Sequence, residues 1–355
     1  MPIVDVYAPA EASRYPIVIA PDLLHACEGH LSSLAGRRAL LVTDTHVAPL
    51  YACALEDALS AAGCAVSRAV VPAGEPSKSP QMLSVLYEHL VEQRITRKDA
   101  VIALGGGVVG DLAGYAAATF MRGVRFIQVP TTLLAQVDSS VGGKVAVNHP
   151  RGKNLLGTFY QPDRVLIDTS TLRTLDARQF GAGLGEVIKY GCIADQAFFE
   201  QLEAWGSREA LTSHLPEIVA RCCQIKARYV EQDPLDHGVR CHLNYGHTLA
   251  HAVETLSGYG VVLHGEAVCM GLVATAGWGE QLGCTPIGTQ ARIRQLLEAY
   301  DLPTRTPSGL SKDDLLHAMS MDKKSEGDAV NLVLLPRIGA CTSEHVSLST
   351  LRTLL

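Results

Sequence analysis

Residues 100–111 constrain the fold of this 355-residue chain more than any other stretch. They read AVIALGGGVVGD, an apolar run followed by glycines at 105, 106, 107 and 110 and then Asp111. A short unbroken apolar run of this kind is a strand buried on both faces, which calls for helices on either side of a parallel sheet. Gly105, Gly106, Gly107 and Gly110 satisfy G-x-G-x-x-G and open a small-residue helix over 110–119. Without β-carbons, the turn lets a pyrophosphate reach the backbone. The helix N-terminus adds unpaired N–H groups and the positive end of its dipole. Strand, turn and helix in this order form the context that a dinucleotide site needs. One part of the usual pattern is missing. No Asp or Glu lies about twenty residues downstream to bind a ribose.

The rest of the first half alternates in the same way. Residues 15–20, 38–43, 124–129 and 164–167 read as strands, and 47–62 and 80–94 as helices. Such alternation predicts a mostly parallel sheet. After about residue 172 helical periodicity takes over, at 180–192, 196–204, 215–231, 246–257, 266–282 and 289–300. Convincing strands are scarce there until 330–335. The expected fold is a Rossmann-like α/β N-terminal dinucleotide-binding domain over 1–174. A mainly α-helical C-terminal domain follows over 175–355.

Charge and cysteines limit the function classes. Lys and Arg total 30 against 36 Asp and Glu, a formal net charge of −6. A global basic footprint for nucleic acid is absent. No apolar run is long enough for a membrane span. The first residues carry Asp5, Glu11 and Arg14 rather than the basic start of a signal peptide. The ten cysteines form no C-x-x-C pair. They read as buried reduced thiols in a cytoplasmic protein. The acidic balance argues at first against an anionic substrate, but recognition depends on local fields rather than net charge.

Two lysine motifs fall short of a P-loop. Gly142-Gly143-Lys144 precedes Val145 and has Asp138 where the first glycine belongs. Gly152-Lys153-Asn154 fails likewise. Each still reads as a glycine turn presenting an ammonium to an anion. Residues 243–254, LNYGHTLAHAVE, put His247 and His251 at i and i+4 on one helix face. His264-Gly265-Glu266 follows, and upstream Glu186 and Lys189 share a face at i and i+3. One glutamate with two of the three histidines makes a divalent-metal site with an open position. Spacing alone selects His247 and His251 as the imidazole pair. Arg122, Lys226, Arg240, Lys323 and Lys324 complete the basic residues of interest.

Taken together these segments resemble the 3-dehydroquinate synthase family of the sugar-phosphate cyclases. The resemblance rests on residues 105–144, on GKNLLGTFYQP, GLGEVIKYG, LNYGHTLAHAVE, HGEAV and MDKK, in family order from about residue 42 to 336. It implies that Gly105, Gly106, Gly107 and Gly110 bind the pyrophosphate of NAD and that Asp111 holds its nicotinamide end. It implies that Asp44, Glu75, Lys78, Thr131, Thr132 and Lys153 contact the adenosine and ribose parts. It assigns zinc, with cobalt as a possible substitute, to Glu186, His247 and His264. His251 then becomes a catalytic group rather than a ligand. Asp138, Lys144, Asn154, Lys189, Lys226, Arg240, Asn244 and His251 match the family's substrate pocket. Arg122 matches an arginine that reaches the substrate phosphate across a homodimer interface, and Lys323 or Lys324 matches a pocket lysine.

The implied reaction takes a small anionic sugar phosphate, 3-deoxy-D-arabino-heptulosonate 7-phosphate, to 3-dehydroquinate and phosphate. Its steps are transient oxidation by NAD, elimination of phosphate, re-reduction and an intramolecular aldol closure. No nucleic-acid or membrane partner is expected. The chain departs from the family pattern at Pro234 and Asp236, where glutamates are usual, and at Ala250 in place of glycine. These changes keep an amino-dehydroquinate synthase or another sugar-phosphate cyclase open as alternatives. A metal-dependent NAD polyol dehydrogenase is the more distant one.

Overall fold

The structure is a computed structural model that describes residues 14–258, 260–321, 325–326 and 329–355. Lys323 and Lys324 lie outside the described residues. The strands are β1 (Ile17–Ala20), β2 (Arg38–Asp44), β3 (Ala65–Val71), β4 (Ala100–Gly105), β5 (Arg125–Pro130), β6 (Lys144–His149), β7 (Gly152–Phe159), β8 (Arg164–Asp168), β9 (Ser325–Glu326), β10 (Ala329–Arg337) and β11 (Ala340–Ser347). Helices α1 (Glu28–Leu31), α2 (Cys53–Ala61), α3 (Pro80–Glu92) and α4 (Gly107–Thr119) accompany the first strands. The helical C-terminal region holds α5 (Ala177–Ala194), α6 (Gln196–Trp205), α7 (Arg208–Thr212), α8 (Leu215–Gln232), α9 (His247–Ser257), α10 (His264–Gln281), α11 (Thr289–Ala299), α12 (Lys312–Ser320) and α13 (Leu348–Leu354).

Six strands form one sheet in the order β1-β8-β5-β4-β2-β3, and every pairing in it is parallel. Residues alternate across it with period two. Ala39, Leu41, Ile102, Leu104 and Ile127 face one apolar cluster, and Leu40, Val42, Val101, Ala103 and Phe126 face another. Burial on both sides explains the unbroken apolar runs of β2 and β4. The chain leaves β2 outward for β3 and leaves β4 the other way for β5. The order therefore reverses between β2 and β4, and ligands of open parallel sheets bind at the strand ends beside such a reversal. Asp44 ends β2 and Gly105 ends β4, so both residues stand at that crevice.

The structure adds elements that the sequence pattern does not announce. β3 is an edge strand with three of its seven residues exposed, so its pattern is weak. The turns around Lys144 and Lys153 belong to an antiparallel hairpin, β6 with β7, rather than to loops. A three-stranded antiparallel sheet, β11-β10-β9, packs into the helical region, and its polar strand ACTSEHVS has no apolar signature.

The helical region is built around α10, which lies against α5, α9, α11 and β10. Two glycines set the closest of these approaches. A β-carbon on Gly265 would strike the Ala182 carbonyl of α5, and one on Gly271 would strike the Gly246 carbonyl just before α9. Arg178 near the start of α5 donates from Nε and Nη2 to Glu266 on α10, at 2.5 and 2.7 Å. Glu266 Oε2 also accepts from the Leu263 backbone N–H at 2.8 Å, which caps the first turn of α10. These contacts bring the N-termini of α5 and α10 together. The largest core cluster joins this region to Val165 and Ile167 of β8, so sheet and helices share apolar packing.

Candidate active site

α5 carries Glu186 and Lys189 inward, both almost fully buried. Asp176 fixes the start of this helix by accepting from the backbone N–H of Arg178 and Gln179. His247 is the first residue of α9 and His264 the first of α10. Glu186 Oε1 lies 3.4 Å from Nε2 of His247 and 3.4 Å from Nε2 of His264. The three donor atoms lie within 4.8 Å of one another. Both carboxylate oxygens of Glu186 are buried with no hydrogen-bond partner of good geometry, though Lys189 forms an ion pair with Oε2. Lys189 thus meets Oε2, while Oε1, toward the two imidazoles, is left open to a second cation. A glutamate oxygen and two imidazole nitrogens are a donor set suited to zinc or a similar ion. The residues therefore fit a divalent metal.

This arrangement corrects the pairing chosen by spacing. His247 and His251 share a face of α9, with ring centroids 5.6 Å apart, but no cluster of donor atoms joins them. Helical spacing sees only one helix, whereas the second imidazole comes from a different one. His247 Nδ1 is taken by the Tyr245 carbonyl at 3.1 Å, which leaves Nε2 toward Glu186. Burial pushes the His247 imidazole down to about 4. Burial opposes charge on His264 as well, yet the Glu186 and Glu254 carboxylates that face its two nitrogens prevail and carry it up to about 10. Burial works against ionisation of Glu186, but the Lys189 charge and the two facing imidazoles together outweigh it and hold the carboxyl well below the usual range.

A second buried group adjoins the first. Lys226 Nζ donates to Asp138 Oδ1 at 2.9 Å, and the Tyr190 hydroxyl donates to the same oxygen at 2.7 Å. Burial lowers the Lys226 ammonium from its ordinary value, with Asp138 acting against that shift. Arg240 is buried; Nη2 donates to the Gly142 carbonyl and Nη1 to the Pro234 carbonyl, each at 3.0 Å. Its Nε has no partner. Lys144, by contrast, is half-exposed and forms an ion pair with Asp236. A small cavity beside His247 and His251 is lined also by Cys241, Asn244, Asn331 and Val333. The Asn244 amide donates to the Cys241 carbonyl at 2.9 Å.

The residues expected around the dinucleotide gather at the strand ends. Thr131 N donates to the Gly105 carbonyl at 2.9 Å, and the Thr131 hydroxyl is buried with no partner. A β-carbon on Gly106 would sit 3.0 Å from Thr132 Cγ2, and one on Gly107 would sit 3.1 Å from Ser139 Oγ. Bare backbone at the helix start and an unclaimed hydroxyl fit a dinucleotide phosphate. Gly110 instead packs against Gln128, where a β-carbon would lie 2.8 Å from Oε1. Asp44 accepts from the backbone N–H of His46 and Val47 at 2.8 and 2.9 Å. Lys78 forms an ion pair with Asp111. Glu75 accepts from the Asn148 amide at 2.7 Å, and the same Asn148 accepts from the Asn154 backbone N–H at 3.0 Å.

Two expected residues stand apart. Asn154 is exposed in a left-handed conformation, with φ of 55°. Arg122 follows Met121 through two positive φ angles and is exposed. Three residues escaped the sequence reading. They are Tyr190 on Asp138, Asn148 between Glu75 and Asn154, and Glu254 beside His264. Glu254 follows His251 by three positions on one helix face, a spacing that was there to be read.

Comparisons with known proteins agree with this geometry. The chain matches the 3-dehydroquinate synthase N-terminal family model over residues 68–182 and the 3-dehydroquinate synthase C-terminal model over 183–325. It is 53% identical over 314 residues to a 3-dehydroquinate synthase of Desulforamulus reducens, covering 88% of each chain. It is 46% identical to that of Neisseria gonorrhoeae, covering 98% of this chain and 96% of the relative. Among solved structures, a 2-epi-5-epi-valiolone synthase from Streptomyces hygroscopicus with NAD+ and Zn2+ bound superposes with a TM-score of 0.89 at 26% identity, over 99% and 98% of the chains. A 2-deoxy-scyllo-inosose synthase complexed with carbaglucose-6-phosphate, NAD+ and Co2+ gives 0.87 at 25%, over 95% of each. A glycerol dehydrogenase from Schizosaccharomyces pombe, at 16% identity and a TM-score of 0.66, shares the fold. By two contiguous family models and by near-half identity over almost its whole length, the chain belongs to the 3-dehydroquinate synthase family.

Proposed function

We propose that the chain is a phosphate-eliminating cyclase, a carbon–oxygen lyase that converts 3-deoxy-D-arabino-heptulosonate 7-phosphate to 3-dehydroquinate and phosphate in aromatic amino-acid biosynthesis. The observation that carries this reading is Glu186. Its buried, unsatisfied carboxylate faces two imidazoles beside Lys189, in a chain of this family. When bound, NAD accepts and returns a hydride, and the divalent metal, zinc or cobalt, polarises the hydroxyl being oxidised.

The chain's own residues bind and orient. Glu186, His247 and His264 hold the metal. Gly105, Gly106, Gly107, Gly110 and Thr131 receive the dinucleotide phosphates, and Asp44, Glu75, Lys78, Asp111, Thr132 and Lys153 its remaining parts. Lys144, Lys189, Asn154, Asn244 and Arg122 hold the leaving phosphate. Lys144 can exchange its Asp236 partner for the more highly charged phosphate. Arg240 and Lys226 meet the substrate carboxylate, and the unpartnered Nε of Arg240 supplies a donor for it. Asp138 keeps Lys226 charged inside the protein, and His251 relays a proton. Gripping both ends of the substrate fixes the reacting geometry, a contribution of about 7–11 kcal/mol at most.

The same reading divides the chain into an α/β dinucleotide domain over 1–174 and a helical metal and substrate domain over 175–355. Lys144 and Lys153 from the hairpin beside Glu186, His247 and His264 from the helices support a site in the cleft between them. The solvent-exposed Arg122 supports a homodimer in which it serves the partner's site. Ten free cysteines support a cytoplasmic location. No described helix is long and apolar enough to cross a membrane.

The test is phosphate release from the heptulosonate phosphate, with and without chelator, while absorbance follows NADH. Chelator-sensitive phosphate release without net NADH is expected. Stoichiometric NADH accumulation would favour a dehydrogenase. Pro234 and Asp236 give a second reading, the amino-dehydroquinate synthase, and faster turnover of the amino analogue would establish it.

A further inference from the structure

Glu254 has no part in the scheme above, yet it touches two of its sites. It lies on α9 at i+7 from His247 and i+3 from His251, on the inward face, and it is buried. Its carboxylate is divided between two partners. Oε2 faces Nδ1 of His264 at 2.9 Å. Oε1 accepts from Lys153 Nζ at 3.2 Å. His264 turns its other nitrogen, Nε2, toward Glu186. Lys153 comes from β7, far from α9 in sequence, and is a residue expected at the dinucleotide.

We propose that Glu254 is a positioning residue that orients His264 for the metal and, through Lys153, couples the metal site to the dinucleotide site. The proposal rests on the reading that Glu186, His247 and His264 hold the metal and Lys153 meets NAD. A carboxylate on Nδ1 fixes the imidazole tautomer, leaves the Nε2 lone pair for the metal and makes it a better donor. Dinucleotide that holds Lys153 in place also holds Glu254, and with it the His264 ring. The metal then meets an ordered ligand and binds more tightly. By linkage the metal strengthens dinucleotide binding by the same factor.

The donor atoms of His251, Glu254 and His264 also lie within 4.8 Å of one another, so Glu254 as a direct ligand is the competing idea. In that case His264 would offer Nδ1, the nitrogen that Glu254 already engages, and the ring would turn away from Glu186.

The experiment measures Co2+ affinity of the full-length, metal-stripped protein by chelator competition, with and without saturating NAD, and records the cobalt visible spectrum. In the parent protein NAD is expected to tighten Co2+ binding about 5-fold or more, the scale of an ordinary coupling. Glu254→Gln is expected to weaken Co2+ about 10–100-fold, the usual effect of removing such an outer partner, with the cobalt bands unmoved. It also abolishes the NAD effect. Lys153→Met, measured at NAD concentrations at which direct titration shows the variant saturated, abolishes the NAD effect on Co2+ affinity. A parent without any NAD effect, or Glu254→Gln binding Co2+ within about 2-fold of the parent, overturns the proposal. Cobalt bands displaced in Glu254→Gln overturn it in favour of a direct ligand. Should Glu254→Gln fail to fold, the half-exposed Lys153→Met still decides the coupling, since a retained NAD effect there refutes it. His264→Ala separates the two levels. Unchanged Co2+ affinity in that variant defeats the metal-site reading itself.

Discussion

The turn after β4 and the cluster between α5, α9 and α10 handle charge in opposite ways. The turn offers backbone N–H groups and almost no side chain, from residues adjacent in sequence. Its polarity is fixed by the helix itself and requires no buried ion. The cluster places Glu186, Lys189 and Lys226 in the interior with the partly buried Asp138 beside them, drawn from distant parts of the chain. Taking such charges out of water is costly, and each persists only because a partner meets it. A backbone site therefore tolerates loss of its ligand, while a site of buried charges depends on every member.

Three substitutions sharpen that contrast. His264→Ala removes one of the three proposed metal ligands. Metal affinity is expected to fall more than about 100-fold, beyond the effect of an outer partner, with NAD binding less affected. Metal titration and phosphate release together measure it, and full metal content with normal turnover would break the comparison on the side of the cluster. Lys144→Ala deletes the half-exposed cation of the hairpin. One lost charge-assisted hydrogen bond is worth about 1.5–3 kcal/mol, or about 10–100-fold in kcat/KM for phosphate release. Dinucleotide affinity is expected to hold, and equal loss of both would remove Lys144 from the phosphate. Gly107→Val adds a side chain over the bare turn near Ser139. NAD affinity is expected to drop about 10-fold, the value of one hydrogen bond to a charged group, while metal affinity stays at the parent level. Fluorescence titration with NAD reads the difference, and unchanged affinity would move the dinucleotide away from α4.

The same contrast explains what could be read from sequence. The β4 turn was legible because its strand, glycines and helix are contiguous and their periodicities differ. Strands β2, β5 and β8 were legible because burial on both faces makes them largely apolar, with Gln128 the one polar residue in the centre of β5. β3, β7 and β11 were not, since most of their residues are exposed or half-buried and polar residues break their apolar positions, and the apolar centre of β6 is only Val145–Val147. At the cluster, local spacing found that histidines on α9 matter but chose His251 as the partner of His247. The competing imidazole, His264, belongs to another helix, and its approach is set by packing that no helical period encodes. Resemblance to known relatives pointed instead to Glu186, His247 and His264, whose donor atoms the packing brings together. Neither route singled out Glu254 or Tyr190, whose roles arise only from what they touch.

The contacts of Gly265 and Gly271 with the Ala182 and Gly246 carbonyls have a consequence for tolerance. Metal–ligand distances are held to about 0.2 Å. A single added methyl at position 265 overlaps main chain, which cannot rotate aside as a side chain does. Helix α10, which begins at His264, would have to part from α5, which carries Glu186, by more than the coordination allows. The spacing gauge of this site is thus made of missing carbon atoms, and alanine, the mildest of replacements elsewhere on a helix, is among the harshest here.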